Sequence, residues 1–310
     1  MKRTMLALFL SPWLAGAAWA GNETPPAPPA PPSAPSAPHA PLPPLPPLPP
    51  MGHEGGSSST ATLDVKGTVT VRADVLSCDI EVVAGGGKQV KAQLIDSSGA
   101  LRLSQSGDRV ELQLQSKSGW PHVPAGIDGK LRIEIPSGSH VELTSASGDI
   151  NVRDTNGNVR LRTASGEVKL RKVAGVEVMA VSGDVDVENA SGEVRLRTVS
   201  GDARVVQSGS AKIEYGTTSG DFDWSGSCRA GCRIEARSTS GDIKLHMTPD
   251  SSFDLRYQSH SGDATDDLKM QTIDQSEGKH GGTQLHARYG KSEGLVEIQT
   301  FSGDLRVSRK

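Results

Sequence analysis

SGDINVRDTNGNVRLRTASGEVKLRKVAGVEVMAVSGDVDVENASGEVRLRTVSGDARVV, residues 147–206, repeats one short phrase: serine, glycine, an acid, then a few alternating apolar residues. The acid-bearing corners are Gly148-Asp149, Gly166-Glu167, Gly183-Asp184, Gly192-Glu193, Gly201-Asp202, Gly220-Asp221, Gly241-Asp242, Gly262-Asp263 and Gly303-Asp304, each preceded by serine. Asn156-Gly157-Asn158, Ala174-Gly175 and Ser208-Gly209-Ser210 fill the gaps, so that a glycine falls every eight or nine residues from Gly148 to Gly209. Between corners the period is two: Ile150/Val152, Val168/Leu170, Val185/Val187 and Ala203/Val205 form one set. Val159/Leu161, Val176/Val178, Val194/Leu196 and Ala211/Ile213 form the other. Alternation of this kind marks half-buried strands, and a fixed repeat of this length marks stacked coils. The expected fold is all-β, a β-solenoid whose coils hold seventeen or eighteen residues each.

The outward residues carry the same reading. Lys169, Asp186 and Arg204 on one face, and Arg160, Glu177 and Arg195 on the other, alternate in sign at the coil spacing, as lateral neighbours should. Arg195 beside Lys212 is expected to break the series. The corner has a mechanical explanation: glycine turns the chain without a Cβ clash, and the flanking serine and acid can bond amides that the turn leaves unpaired. Calcium on stacked Asp149, Asp184 and Asp202 is the competing reading, weakened by the absence of a glycine-rich nonapeptide of the calcium-binding kind. No cofactor is expected.

Outward from the repeat, the corners spread to 19, 21 and 21 residues after Gly201, then 41 before Gly303, so wider coils and a long hairpin or loop over residues 264–294 are expected. Solenoid repeats are assigned to residues 146–310, ending in Arg306, Arg309 and Lys310, charges suited to discouraging end-to-end addition. Residues 61–145 alternate (Leu63/Val65, Val69/Val71, Leu112/Leu114) without the motif and are read as a β cap on the first coil.

Before the cap come two segments of another character. Residues 1–20 read as a signal peptide: Lys2 and Arg3, a short apolar run broken by Pro12, then Ala18-Trp19-Ala20. Residues 21–60 form a disordered Pro-rich, then Gly/Ser-rich, linker; fifteen of the positions 25–50 are proline, which dictates an extended polyproline rod. Such a rod reaches roughly 80 Å at about 3.1 Å per residue. Leu42, Leu45 and Leu48 then share one edge, either of a stiff spacer or of a docking strip. The chain is therefore expected to be exported to the periplasm, cell surface or medium, with no transmembrane span in the mature part.

Net charge is −3 with interspersed signs, which implies neither nucleic acid nor an anionic membrane as partner. Cys228 and Cys232 flank a turn-like Arg229-Ala230-Gly231 and are the disulfide candidates; a zinc site would need two further ligands nearby. Cys78 shares the parity of Ile80 and Val82 and reads as a buried small side chain. Aromatic residues make up 4% of the chain, and those beyond residues 1–20 are scattered, Trp120, Tyr215, Phe222, Trp224, Phe253, Tyr257, Tyr289 and Phe301, several with inward parity. The histidines show no metal-ligand spacing, and His280 and His286 fall in the expected loop. Nothing here assembles the carboxylate pair and sugar platforms of a polysaccharide-cleaving β-helix, so no catalytic residue is assigned.

Leu131-Arg132-Ile133-Glu134-Ile135-Pro136, followed by Val141-Glu142-Leu143 and Ser147-Gly148-Asp149-Ile150, then Gly294-Leu295-Val296-Glu297-Ile298 and Ser302-Gly303-Asp304-Leu305 at the end, resembles a known pattern. It is that of the bacterial family of exported domains of unknown function labelled provisionally as adhesins. The resemblance covers roughly residues 62–308 and implies a β-solenoid on the envelope side of the inner membrane, with no catalytic residues to carry over; the long proline rod departs from it. Two non-enzymatic roles follow as expectations: a binding or scaffold module that presents solenoid faces to an envelope protein or glycan, or an envelope element that self-associates.

Overall fold

The computed structural model describes residues 60–95, 99–115, 129–207, 212–277 and 282–310. The expectations for residues 1–59, Trp120, Ser208-Gly209-Ser210, Ala211 and His280 lie outside these. Every regular element described is a β-strand: β1 (Thr60–Asp64), β2 (Thr70–Ser77), β3 (Asp79–Gly85), β4 (Gln89–Ile95), β5 (Ala100–Ser106), β6 (Arg109–Gln115) and β7 (Lys130–Pro136) come first. The repeats then alternate between two sheets. One takes β8 (His140–Ser147), β10 (Val159–Thr163), β12 (Val176–Ser182), β14 (Glu193–Ser200), β16 (Lys212–Ser219), β18 (Arg233–Ser240) and β20 (Phe253–Ser261). The other takes β9 (Ile150–Arg153), β11 (Val168–Arg171), β13 (Val185–Glu188), β15 (Ala203–Gln207), β17 (Phe222–Gly226), β19 (Ile243–Met247) and β21 (Ala264–Asp266). Last come β22 (Gln271–Glu277), β23 (Thr283–Tyr289), β24 (Gly294–Ser302) and β25 (Leu305–Arg309). The result is a 13-stranded and a 12-stranded sheet, parallel through their centres, with one strand of each per coil.

The apolar alternation places the core between the sheets. Val141, Val159, Val176, Val194, Ile213 and Ile234 stack in one inward row, and Ile150, Val168, Val185, Ala203, Phe222 and Ile243 face them from the other sheet. All are buried. Register is fixed because a one-residue slip would turn every such row to solvent. The outward ladders Lys169–Asp186–Arg204 and Arg160–Glu177–Arg195 are lateral neighbours, with Arg160 Nε 2.9 Å from Glu177. Arg195 meets Glu214, however, and not Lys212, which sits beside Glu193. Ile213 and Tyr215 are therefore the inward pair of β16, and the sign alternation continues where the sequence suggested a break. Stacking Tyr215 on Phe222 (centroids 4.4 Å apart) buries more apolar surface than the expected pair would.

Two further features depart from expectation. The stack starts earlier than residue 146: β2 pairs in parallel with β8 and β3 with β9, so residues 70–85 already form a coil. Its corner, Ser77-Cys78-Asp79, carries cysteine where the repeat carries glycine, which hid it. Antiparallel strands then close this end, β5 on β6 in one sheet, and β4 on β7 with β1 on β4 in the other. At the far end the chain order and the stacking order separate. The last strands, β24 and β25, slot between β18–β19 and β20–β21, so the C-terminal arginines lie within the 12-stranded sheet and do not guard its edge. β22 and β23 pair antiparallel, β23 lies antiparallel on β20, and β22 ends the 13-stranded sheet. His286 is thus a strand residue, its Nε2 2.6 Å from Asp254 Oδ1, and not a solvated loop residue.

Candidate ligand-binding face

The corner residues come together in one column. An added Cβ at Gly166, Gly183, Gly201, Gly220 or Gly241 would overlap the carbonyl oxygen of the corner glycine one coil back; at Gly148 it would overlap that of Cys78. The same holds for Gly303 on Gly241 and Gly262 on Gly303, which carries the column through the inserted C-terminal coil. Each aspartate accepts the backbone N–H of the next corner acid: Asp79 from Asp149, Asp149 from Glu167, Asp184 from Asp202, Asp202 from Asp221, Asp221 from Asp242, Asp242 from Asp304 and Asp304 from Asp263, at 2.8–3.0 Å. Glu167 reaches Lys169 instead (2.7 Å). Gly192-Glu193 stands apart, in the opposite column with Gly175, so similar sequence here hides two kinds of turn.

One structural column escaped the sequence reading. Ser145, Thr163, Thr198, Ser238, Ser259 and Thr300 are buried hydroxyls inside the corner. Ser145 and Thr163 donate to carbonyls two residues on, Thr300 to Gly303 O, and Tyr257 to Gly303 O at 2.9 Å. Their polar type disguised inward positions that continue the alternation of the apolar pair. Burial pushes the Tyr215 and Tyr257 phenols up. A disulfide joins Cys228 and Cys232, and Cys78 is buried. Among the described residues no three His, Cys, Asp or Glu side chains converge as metal ligands.

With the corner aspartates engaged in the fold, the outer face of the 13-stranded sheet offers a different composition. Its register sets Met179, Arg197, Gly216, Arg237, Gln299 and Gln258 side by side across six coils. The next outward row reads Val181, Val199, Thr218, Thr239, Phe301 and His260. Val181, Val199 and Phe301 are 55%, 50% and 56% exposed, and the Phe301 ring stacks on His260 with centroids 4.7 Å apart. An exposed aromatic ring on a flat sheet, held by a neighbouring ring, is a preformed contact surface.

Gly216 is the anomaly of this face. It has no left-handed φ, and an added Cβ would meet nothing within 4 Å. Neither conformation nor packing calls for glycine there, and glycine weakens a strand by about 0.5–1 kcal/mol relative to alanine. Glycine in such a place marks close approach of something else. The missing side chain leaves a depression of about 470 Å³ walled by Arg197, Arg237, Thr218, Thr239 and Glu214. Arg197 holds Glu214 (3.0 Å), and that hydrogen bond, with the charges of Arg197, Arg195 and Arg237, keeps the Glu214 carboxyl below its ordinary range. A larger depression, about 630 Å³, lies along the margin of the face between Lys212, Arg233, Glu235, Asp254 and Glu293. There Arg233 pairs with Glu235, and His286 and Arg288 pair with Asp254. In the Gly216 notch Arg197 is paired with Glu214 and Arg237 lies 3.8 Å from Glu235, yet both guanidiniums face outward and stay over half exposed.

The family model described as Toastrack DUF4097 matches residues 70–308, from the first strand of the first coil to the last strand. The chain belongs to the Toastrack DUF4097 family. No curated protein matches this Toastrack chain in sequence. Among solved structures it is similar to a candidate cell adhesion protein from Clostridium sporogenes, at 12% identity over 81% of this chain and 99% of that one, with a TM-score of 0.27. It is similar also to a candidate adhesin from Bacteroides fragilis, at 12% identity over 80% of this chain and 95% of that one, with a TM-score of 0.29. Among the described residues no helix is long and apolar enough to cross a membrane.

Proposed function

We propose that this Toastrack chain is an exported, non-catalytic binding module of the cell envelope, adhesin-like in role, whose partner lies on the outer face of the 13-stranded sheet. The observation that carries the reading is the exposed row ending in Phe301 and His260, on a face whose strands are already paired on both sides. Apolar and aromatic surface is left outward there at a cost that folding does not explain. The corner acids, by contrast, have their work inside the fold. Self-association through the sheet ends is the less supported alternative. The exposed end strand β22 is bulged between Thr272 and Asp274 and carries Asp274 and Glu277, features that oppose edge pairing.

The test is binding of the purified mature chain to envelope preparations. Phe301→Ala should weaken it several-fold, while the paired control Lys169→Ala/Arg204→Ala on the opposite sheet should leave it unchanged. Equal loss in both variants, or in neither, would remove the assignment to this face.

A further inference from the structure

We infer that the Gly216 notch binds a carboxylated polysaccharide, with acid groups on Arg197 and Arg237 and sugar rings laid over Gly216 and Phe301. This rests on the binding-face reading above and names the ligand class for it. The two arginines are separated by one strand, hence by about 9.5 Å from coil to coil. Guanidinium forks grip carboxylates bidentately, so the pair selects a ligand with acid groups repeated along its length. Between them the missing side chain lets a flat group lie against the strand backbone.

The remaining side chains favour sugar over peptide. Thr218, Thr239, Gln299 and Gln258 can each donate and accept, which suits hydroxyl groups of either sense. Phe301, next along from Thr239, has one ring face on His260 and the rest of its aromatic surface over half exposed, apolar area that suits the C–H groups of a pyranose. An extended acidic peptide would ordinarily dock by adding to a sheet edge, and this part of the sheet has none, since β14, β16, β18 and β24 each pair on both sides. The ligand therefore runs along the stack, across the strands. Glu214 holds Arg197 until an incoming carboxylate replaces it.

The experiment is titration calorimetry of the mature chain with polygalacturonate, neutral dextran, dextran sulfate and poly-glutamate at matched ionic strength. Polygalacturonate should bind and dextran should not. Gly216→Val should weaken polygalacturonate binding at least about tenfold while leaving the melting temperature equal or higher, because the strand gains a β-branched residue in open space. Arg197→Gln/Arg237→Gln should match that loss, which guards against a folding artefact in the glycine variant. Equal binding of poly-glutamate would overturn the sugar assignment, and equal binding of dextran sulfate would overturn the carboxylate assignment, each reducing the site to charge attraction. Wild-type affinity in Gly216→Val would overturn the notch. If polygalacturonate fails while Phe301→Ala still weakens envelope binding, the ligand class falls and the face stands; if both fail, the face falls with it.

Discussion

Gly201→Ala isolates the corner column. Gly201 has φ +132°, a region that L side chains rarely adopt, and its added Cβ would overlap the Gly183 carbonyl oxygen one coil back. Forcing a side chain into such backbone costs about 1–3 kcal/mol. Relieving the overlap in a packed stack costs about as much again, since neither neighbour can move without breaking its own ladder. A loss near 3 kcal/mol is expected, and in a domain of this size about 2–4 °C accompanies each kcal/mol, so the melting temperature should fall by roughly 6–12 °C. Urea unfolding followed by far-UV circular dichroism measures the loss, with Gly216→Ala as the matched control. That control should be neutral or slightly stabilising because its Cβ meets nothing. If Gly201→Ala stays within about 0.5 kcal/mol of wild type, the range of an ordinary surface change, the column is not a steric device and the reasoning fails.

Tyr257→Phe removes one of the two donors to Gly303 O, Thr300 Oγ1 being the other, and should cost about 0.5–1.5 kcal/mol, read in the same urea titration. Asp186→Asn tests a pH effect: burial, with Glu188 close by, raises the Asp186 pKa in the fold. A raised carboxyl pKa favours folding when protonated, below the unfolded value of about 3.9, and that contribution is lost as pH rises through the folded value. The Asn variant should therefore melt higher than wild type at pH 7, with the gain gone below about pH 3.9; a lower melting temperature at pH 7 would show that the Lys169 and Arg204 ladder outweighs desolvation. Cys228→Ser/Cys232→Ser opens a five-residue loop and should cost about 2 kcal/mol, measured against oxidised wild type. Removing residues 294–310 takes out a coil from between β18–β19 and β20–β21, so limited proteolysis should cut throughout residues 253–289 and spare residues 140–207.

The regular middle of the molecule was legible because its signal is steric and periodic. Aliphatic pairs such as Val168/Leu170 and corners such as Gly183 can satisfy only one register. Legibility stopped where a residue's role did not match its type. Cys78 took a glycine's place, and Thr163 and Ser145 filled inward positions with hydroxyls. The shift on β16 lay across a longer connection, where Ile213 and Tyr215 form the inward pair. The insertion of β24–β25 could not be read from the order of corners at all, since Gly303 and Gly262 carry the same motif and stacking order leaves no mark on it. The binding face was hidden for the opposite reason: Arg197, Gly216, Arg237 and Phe301 lie in separate repeats and become neighbours only once the coils are stacked in their actual order.

That division of labour, corner for folding and outer face for binding, can be tested by arginine modification with phenylglyoxal, read residue by residue in a mass spectrometer with and without polygalacturonate. Arg197 and Arg237 on the 13-stranded sheet should be protected by the ligand, while Arg171 and Arg204 on the 12-stranded sheet react at unchanged rates. Protection of Arg171 and Arg204 with none at Arg197 and Arg237 would contradict the account.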